Sequence, residues 1–288
     1  MTSERAADRA TEPIVSTAWL AAHLGEPALR LVDARWYLPH LERDPKAEFV
    51  QAHIPGAVFF DIDGIADTGT PLPHMLPSAD QFARSVGELG LSAGDRVVVY
   101  GARHMIASAR VWWTFRVFGH EPVGVLDGGF PKWRAEGRPL EPGRPAPPAR
   151  RFTASFRGEL VADLGRVRAT LERSREQVLD ARSQGRFAGT EPELRPGVRG
   201  GHIPGSRNLP YDQLFSAEGG TLLPPEGLER AFRECGLDPT RPVIATCGSG
   251  VSAAVLALGL YLLGRREAAV YDGSWTEWGG RSDTPVEP

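Results

Sequence analysis

The sequence predicts an α/β protein of two tandem domains, each a mainly parallel sheet flanked by helices. Three observations predict this. The first is an internal repeat. Leu31-Val32-Asp33-Ala34-Arg35 recurs 147 residues later as Val178-Leu179-Asp180-Ala181-Arg182. His53-Ile54-Pro55-Gly56 recurs after 149 residues as His202-Ile203-Pro204-Gly205, and Asp127-Gly128 with Trp133 recurs after 145 as Asp272-Gly273 with Trp278. Three landmarks in one order at nearly one offset mean two copies of one unit. The second observation is that short apolar runs alternate with helical patterns in each half, the signature of parallel strands joined by helical crossovers. The third is residues 137–151, which carry five prolines and cannot join a helix or an inner strand. The expected organisation is a disordered leader at 1–13, domains at 14–136 and 152–288, and a linker at 137–151 that crosses the surface as an ordered tether.

The elements follow in order. Apolar runs at 30–32, 58–60, 97–100 and 123–126 read as strands of the first half, and 178–179, 207–209, 243–246 and 268–271 as those of the second. Ser78-Ala79-Asp80-Gln81 resembles a capping box, and Gly90 closes the helix it opens. Residues 108–118 and 251–263 are strongly apolar and read as buried helices, which puts Trp112 and Trp113 in the core. A further helix runs over 226–235, with Cys235 at its end. The histidine-led turn is present in both halves and reads as a structural turn before a strand.

Composition narrows the function classes. Of 288 residues, 41% are hydrophobic and 24% charged, so a buried core forms and wholesale disorder is excluded. The formal net charge is −3, which argues against a nucleic-acid or anionic-membrane binder. Of the 33 basic residues only Lys46 and Lys132 are lysines, leaving 31 arginines, so any role for an arginine must stand out from a high background. Two cysteines, Cys235 and Cys247, suffice neither for a disulfide framework nor for a cysteine-rich zinc site. No apolar run is long enough to span a membrane, and the polar, partly acidic start lacks a signal core. A cytoplasmic, monomeric protein without metal is expected.

The sharpest local feature is Thr246-Cys247-Gly248-Ser249-Gly250-Val251-Ser252-Ala253, between a buried strand and an apolar helix. Ligands bind at the carboxyl ends of parallel strands. Two glycines let successive N–H groups turn inward as an anion-binding nest, and the helix amino end adds about half a positive charge. A cysteine in such a cradle is expected to be a thiolate near neutral pH. Read instead as a buried structural cysteine, Cys247 leaves both glycines unexplained. A phosphatase-type cysteine needs an arginine six residues on, where this chain has Ala253. Cys235 has no nest around it and reads as structural.

On these features the chain resembles two-domain rhodanese-like sulfurtransferases over nearly its whole length. The features are the paired Asp-Ala-Arg and His-Ile-Pro-Gly motifs, Asp272-Gly273-Ser274-Trp275 and the Cys247 loop. The loop, CGSGVSA, is similar to that of 3-mercaptopyruvate sulfurtransferases, CG(S/T)GVTA, with Ser252 in place of threonine. Thiosulfate sulfurtransferases read CRKGVTA. The resemblance implies tandem rhodanese-like domains, the active cysteine in the second, a cysteine persulfide intermediate and no cofactor. The repeat agrees, because Gly101 falls opposite Cys247 and the first half has no thiol there. That half serves as scaffold or as one wall of the site.

The loop offers N–H groups from Gly248, Gly250, Val251, Ser252 and Ala253 and the Ser249 hydroxyl, but no side-chain cation. Charge for an anionic donor must come from elsewhere. Arg182 has a counterpart in Arg35 and reads as a structural partner of Asp180. Arg186 has no counterpart. The resemblance implies that Arg186 and Arg195 hold the carboxylate and keto oxygen of 3-mercaptopyruvate, each with its guanidinium free for the anion; the alternative for both, and the favoured reading of Arg199, is a solvated surface residue. It also implies a proton relay of Ser249, His74 and Asp63. On residues alone His74 could instead be a loop histidine capping a helix. Trp275 and Trp278 read as packing residues. The expected activity is transfer of sulfane sulfur from 3-mercaptopyruvate to a thiol, such as that of thioredoxin, or to cyanide. A thiosulfate:cyanide sulfurtransferase and a persulfide carrier with little turnover are the alternatives.

Overall fold

A computed structural model describes residues 12–173, 175–217 and 220–288. The expected leader at 1–13 lies outside the described residues except for its last two positions. Two compact units form. Residues 12–65, 77–156 and 220–221 make the first, and 66–76, 157–217 and 222–288 make the second. Residues 66–76, which lie in the first half of the sequence, thus pack with the second unit.

Each unit carries a five-stranded, all-parallel sheet. In the first, β1 (Ile14–Val15), β2 (Leu29–Asp33), β3 (Ala57–Phe59), β4 (Arg96–Tyr100) and β5 (Val123–Leu126) stand in the order β1-β5-β4-β2-β3. In the second, β6 (Val161–Ala162), β7 (Gln177–Asp180), β8 (Arg207–Asn208), β9 (Val243–Thr246) and β10 (Ala269–Tyr271) repeat that order as β6-β10-β9-β7-β8. The expected strands are all present, within two residues at each end. The edge strands β1 and β6 were not expected, because two residues are too few to show a period.

The helices between them bury one face or all faces according to their sequence. In the first unit they are α1 (Thr17–His23), α2 (Pro45–Gln51), α3 (Ile62–Ile65), α4 (Ala79–Glu88), α5 (Ile106–Val117) and α6 (Gly129–Ala135). The second holds α7 (Leu164–Arg173), α8 (Gln184–Phe187), α9 (Pro225–Glu234), α10 (Ala253–Leu262) and α11 (Ser274–Gly280). Ser78 caps α4, its Oγ accepting from the Gln81 amide at 3.2 Å, and Gly90 follows the helix at φ +80°. That conformation is open to glycine and closed to most side chains. As expected, α5 and α10 are buried on nearly every side, with Trp112 and Trp113 at 1% and 0% exposure. The repeated histidines close structural turns: His53 Nδ1 pairs with Phe49 O at 2.8 Å, and His202 Nδ1 with Phe187 O at 3.0 Å.

The Pro-rich stretch is tied to the first unit along its length. His53 and Glu141 exchange backbone hydrogen bonds at 3.0 Å, the Gly143 amide donates to Val50 O, and the Arg150 amide donates to Gly87 O. Arg150 also pairs with buried Asp95 at 2.7 Å. Prolines lack amide donors, so pairing falls to the residues between them.

At the end of β2, Asp33 and Arg35 form a buried pair, 2.7 Å between Oδ2 and Nη2, with the guanidinium 4.1 Å from the Phe130 ring. The side chains are 0% and 3% exposed. Removing one member of a buried pair strands the other charge and costs about 3–5 kcal/mol, whereas an exposed pair is worth about 0–1 kcal/mol. Arg35→Ala is therefore expected to lower the melting temperature by roughly 10 °C or more. Arg43→Ala, which breaks the exposed pair with Glu48, should shift it by no more than a few degrees. Similar shifts in thermal unfolding for both variants would refute the assignment.

Candidate active site

In the second unit, the chain leaves β7 for β8 on one side and leaves β9 for β10 on the other. The carboxyl ends of β7 and β9 therefore diverge, and in such sheets that divergence opens the ligand crevice. The two strands are in direct register, with Asp180 opposite Thr246. Cys247 is the first residue beyond β9. It is 2% exposed, and its thiol is in no disulfide.

The loop that follows turns at a glycine and runs into a helix. Gly250 takes φ +74°, a turn only glycine makes without strain, and Ser252 leads into α10 at Ala253. Ser249 is buried at 7%, Val251 and Ala253 are packed inside, and Gly248 and Ser252 are partly open. The amino end of α10, with its positive dipole, follows the segment carrying the thiol, and the amides of Ala254 and Val255 donate to Val251 O and Ser252 O.

The start of α11 holds this loop in place. The Cys247 amide donates to Ser274 Oγ at 3.2 Å, and that hydroxyl donates to Tyr271 O at 2.7 Å. The Trp275 amide donates to Cys247 O at 2.9 Å, and the amide and hydroxyl of Thr276 both donate to Gly248 O, at 2.9 and 2.6 Å. The first unit keeps part of the arrangement, with the Phe130 amide donating to Gly101 O at 2.9 Å. There Gly129 occupies the place of Ser274, at φ +56°, against φ +49° for the serine. A non-glycine residue in that region costs about 1–2 kcal/mol. The half with the thiol accepts this strain and gains a hydroxyl that receives the nucleophile's amide. Ser274 and Thr276 were not singled out as site residues. Comparing the glycine in one repeat with the serine in the other is the signal that finds them.

Trp275 and Trp278 are packing residues, as expected, both fully buried. Arg199 is exposed, as expected, and its guanidinium holds Gly279 O at 3.0 Å and Thr284 Oγ1 at 2.8 Å, tying down the end of α11.

The arginines of the site form a chain of charges. Arg182 grips Asp180, as expected, with both side chains fully buried and Nη2–Oδ2 at 2.7 Å, and its guanidinium lies 4.4 Å from the Trp275 ring. Its Nη1 reaches Glu193 Oε1 at 2.7 Å. The other oxygen of Glu193 takes Arg186 Nη2 at 2.6 Å. The expectation that the Arg186 guanidinium stands free for an anion is thus corrected: it is ion-paired and only 17% exposed. The cause is local. The amides of Thr190 and Glu191 donate to Gly185 O, folding the chain back over α8 and bringing Glu193 to Arg186. Arg186 still faces the loop, since Nη2 lies 3.0 Å from where a Cβ on Gly248 would stand. Its Nε is buried and has no hydrogen-bond partner among the described residues. Arg195 is partly buried, two residues beyond Glu193.

His74 belongs to the second unit, although it lies in the first half of the sequence. The Asp67 amide donates to Met75 O at 2.9 Å and closes the segment into a loop, and the Leu76 amide donates to Asp272 Oδ2 at 2.8 Å. His74 itself is 8% exposed with φ +60°. It does not cap α4, because Ser78 does. Asp63 lies in α3 of the first unit and accepts from Trp36 Nε1 at 3.1 Å. The structure therefore gathers Cys247, Ser249, Arg186, Arg195 and His74 in one unit and places Asp63 in the other. Cys235, half-buried at the end of α9, donates to Phe232 O at 3.1 Å, and burial pushes its thiol pKa up. Among the described residues no group of three or more histidine, cysteine or acidic side chains could hold a metal ion, and no helix is long and apolar enough to cross a membrane.

Comparison with known proteins agrees with this geometry. The rhodanese-like domain family matches residues 16–136 and again 163–281. The chain is 45% identical to the mitochondrial thiosulfate/3-mercaptopyruvate sulfurtransferase 1 of Arabidopsis thaliana, over 96% of this chain and 78% of that protein. It is also 45% identical to human 3-mercaptopyruvate sulfurtransferase, over 92% and 91% of the two chains. Among solved structures, SseA of Escherichia coli, described as a 3-mercaptopyruvate sulfotransferase, superposes with a TM-score of 0.84 at 38% identity, covering 92% of this chain and 99% of that one. Two sheets of one strand order, a thiol beyond the central strand of only one of them, and matches that run through both halves lead to one assignment: the chain belongs to the rhodanese-like family as a tandem of two such domains, and it is a sulfurtransferase.

Proposed function

We propose that this sulfurtransferase takes sulfur from 3-mercaptopyruvate on Cys247, releases pyruvate, and passes the sulfur to a thiol, such as that of thioredoxin, or to cyanide. In this reading 152–288 is the catalytic domain, 14–136 is the scaffold, 137–151 joins them, and one copy of the chain suffices. The observation that carries it is the placing of the Arg186 guanidinium against Gly248, one residue from the buried thiol. Two thiols outside any disulfide suit a reducing setting such as the cytoplasm.

Arg186 and Arg195 orient the donor through its carboxylate and keto oxygen, a task suited to the planar guanidinium fork. The Cys247 thiolate attacks the donor's sulfur, an S–S bond forms, and the C–S bond breaks. The electron pair leaves as the pyruvate enolate, which takes a proton and becomes pyruvate. Ser249 and His74 supply that proton; a histidine is suited to carry one near neutral pH. The amides of residues 248–253 stabilise the sulfur anion. An acceptor thiolate or cyanide then attacks the outer sulfur of the persulfide and returns Cys247 as a thiolate. The absence of side-chain cations at Gly248 and Ser249 favours a monoanionic donor over dianionic thiosulfate.

Three outcomes are expected. Intact-mass measurement after donor exposure should show a +32 Da adduct on the wild type and on Cys235→Ser, and none on Cys247→Ser; loss of the adduct in Cys235→Ser instead would overturn the site. Arg186→Ala should lower kcat/KM for 3-mercaptopyruvate by roughly 10- to 150-fold, from a charge-assisted hydrogen bond worth about 1.5–3 kcal/mol. Its melting temperature should fall less than that of Arg35→Ala, because Arg186 is partly exposed and Glu193 keeps its hydrogen bond from Arg182; an equal or larger drop would make the arginine structural. Ser274→Gly removes the left-handed strain together with the acceptor for the Cys247 amide. Turnover should fall about 10-fold or more while thermal unfolding shifts by only a few degrees, and unchanged turnover would show that the hydroxyl does not position the thiol.

A further inference from the structure

We infer that Glu193 sets which donor charge the site prefers, by cancelling the charge of Arg186 and so selecting against dianions. The inference rests on the donor reading above and deepens it.

Four side chains carry the argument. Asp180, Arg182, Glu193 and Arg186 are linked in that order at 2.7, 2.7 and 2.6 Å. Their exposures are 0%, 0%, 5% and 17%. Two carboxylates and two guanidiniums sum to zero. Arg182 does not need Glu193 for its own balance. Asp180 already meets it through Oδ2 at Nη2 and through both oxygens at Nε, at 3.1 and 3.0 Å. The charge of Glu193 is therefore the counterweight of Arg186. Removing that charge leaves one net positive charge, and it lies on the guanidinium facing Gly248.

The consequence differs between donors. Mercaptopyruvate carries one carboxylate, and its recognition depends mainly on directed hydrogen bonds. Arg186 retains donors for these, including the buried Nε that has no partner among the described residues. Thiosulfate carries two charges in a smaller volume. Its second charge is stabilised by net positive potential, which Glu193 lowers at Arg186 and the loop at Gly248 and Ser249 does not restore, so that Arg195 and the amino end of α10 are left to meet it. The first unit supports a specific role. Arg35 forms the same buried pair with Asp33, and its Nη2 is met by Ala52 O where Arg182 meets Gly201 O. In that unit, which lacks the thiol, the position of Arg186 is held by Pro39. The structural pair is thus complete without the outer Glu193–Arg186 couple, which accompanies the thiol.

The test is steady-state kinetics of full-length wild type, Glu193→Gln and Glu193→Asp with 3-mercaptopyruvate and thiosulfate, alongside thermal unfolding. One unit charge several ångströms from the donor in a partly screened site predicts that Glu193→Gln raises the thiosulfate-to-mercaptopyruvate ratio of kcat/KM by about 5- to 30-fold. The gain should shrink as ionic strength rises. Glu193→Asp keeps the charge and should hold the ratio near the wild-type value even if both activities fall. Sulfate, a dianion that donates no sulfur, should bind Glu193→Gln more tightly by a similar factor, read as a thermal shift that does not depend on the donor. Equal losses for both donors with a lowered melting temperature would make Glu193 a purely structural residue. The same ratio shift in Glu193→Asp as in Glu193→Gln would assign the effect to shape rather than charge. A wild type that does not turn over 3-mercaptopyruvate would refute the donor reading, while tighter sulfate binding by Glu193→Gln would still support the electrostatic inference.

Discussion

The parallel pairing of β7 with β9 is the constraint on which the rest depends. It sets Asp180 opposite Thr246, so the ends of the two strands meet where the chain turns to opposite sides of the sheet. The Ala181 amide donates to Thr246 O at 2.9 Å and extends the pairing by one residue. Every group of the candidate site is measured from that point. Cys247 is one residue beyond it on one strand, and Arg182 two residues beyond it on the other. A slip of one residue along the ladder would turn one strand's side chains to the other face. The buried Asp180–Arg182 pair would then lose its place under Trp275.

On this base the protein holds the residue that bears the thiol through its backbone. Holding falls to α11, whose Ser274 hydroxyl accepts from the Cys247 amide and whose Trp275 amide donates to the Cys247 carbonyl. These bonds engage the backbone of Cys247 and leave its thiol out of the support. The amino end of α10 and a guanidinium from α8 lie beside the segment that carries the thiol. The price of the arrangement is local strain at Ser274, where the sister unit uses glycine.

The tandem repeat shows which parts belong to the fold and which to the function. The Asp–Arg pairs, the aromatic ring under each arginine, the histidine-led turns and the amide donated to the residue beyond the central strand occur in both units. The thiol, its glycine-rich loop, the serine at φ +49° and the Arg186–Glu193 couple occur in one. Residues shared by both halves stabilise each sheet and its crossovers. Residues present in one half mark where chemistry was added to a shared scaffold.

Much of this was legible in the sequence because the signals are local or repeated. The strand runs 97–100 and 243–246, the buried helices after them, the cap at Ser78 and the strand–loop–helix setting of Cys247 follow from periodicity, turn chemistry and comparison of the two halves. Strands of two residues carry no period, so β1 and β6 stayed hidden. The pairing of Arg182 with Asp180 was readable because its partner is two residues away and its counterpart stands in the other half. The pairing of Arg186 with Glu193 was not, because it depends on residues 188–193 folding back over α8. Composition could not separate that arginine from a background of 31. His74 is the clearest case. Its place in the sequence lies among residues of the first unit, yet the hydrogen bond from the Leu76 amide to Asp272 carries it to the second. By itself the sequence determined the fold class, the duplication and the thiol, since each is written in neighbouring residues or twice along the chain. Only the tertiary structure decided that Glu193 meets Arg186 and that the His74 loop joins the second unit, because the first needs the chain to fold back over α8 and the second joins residues 196 apart in sequence.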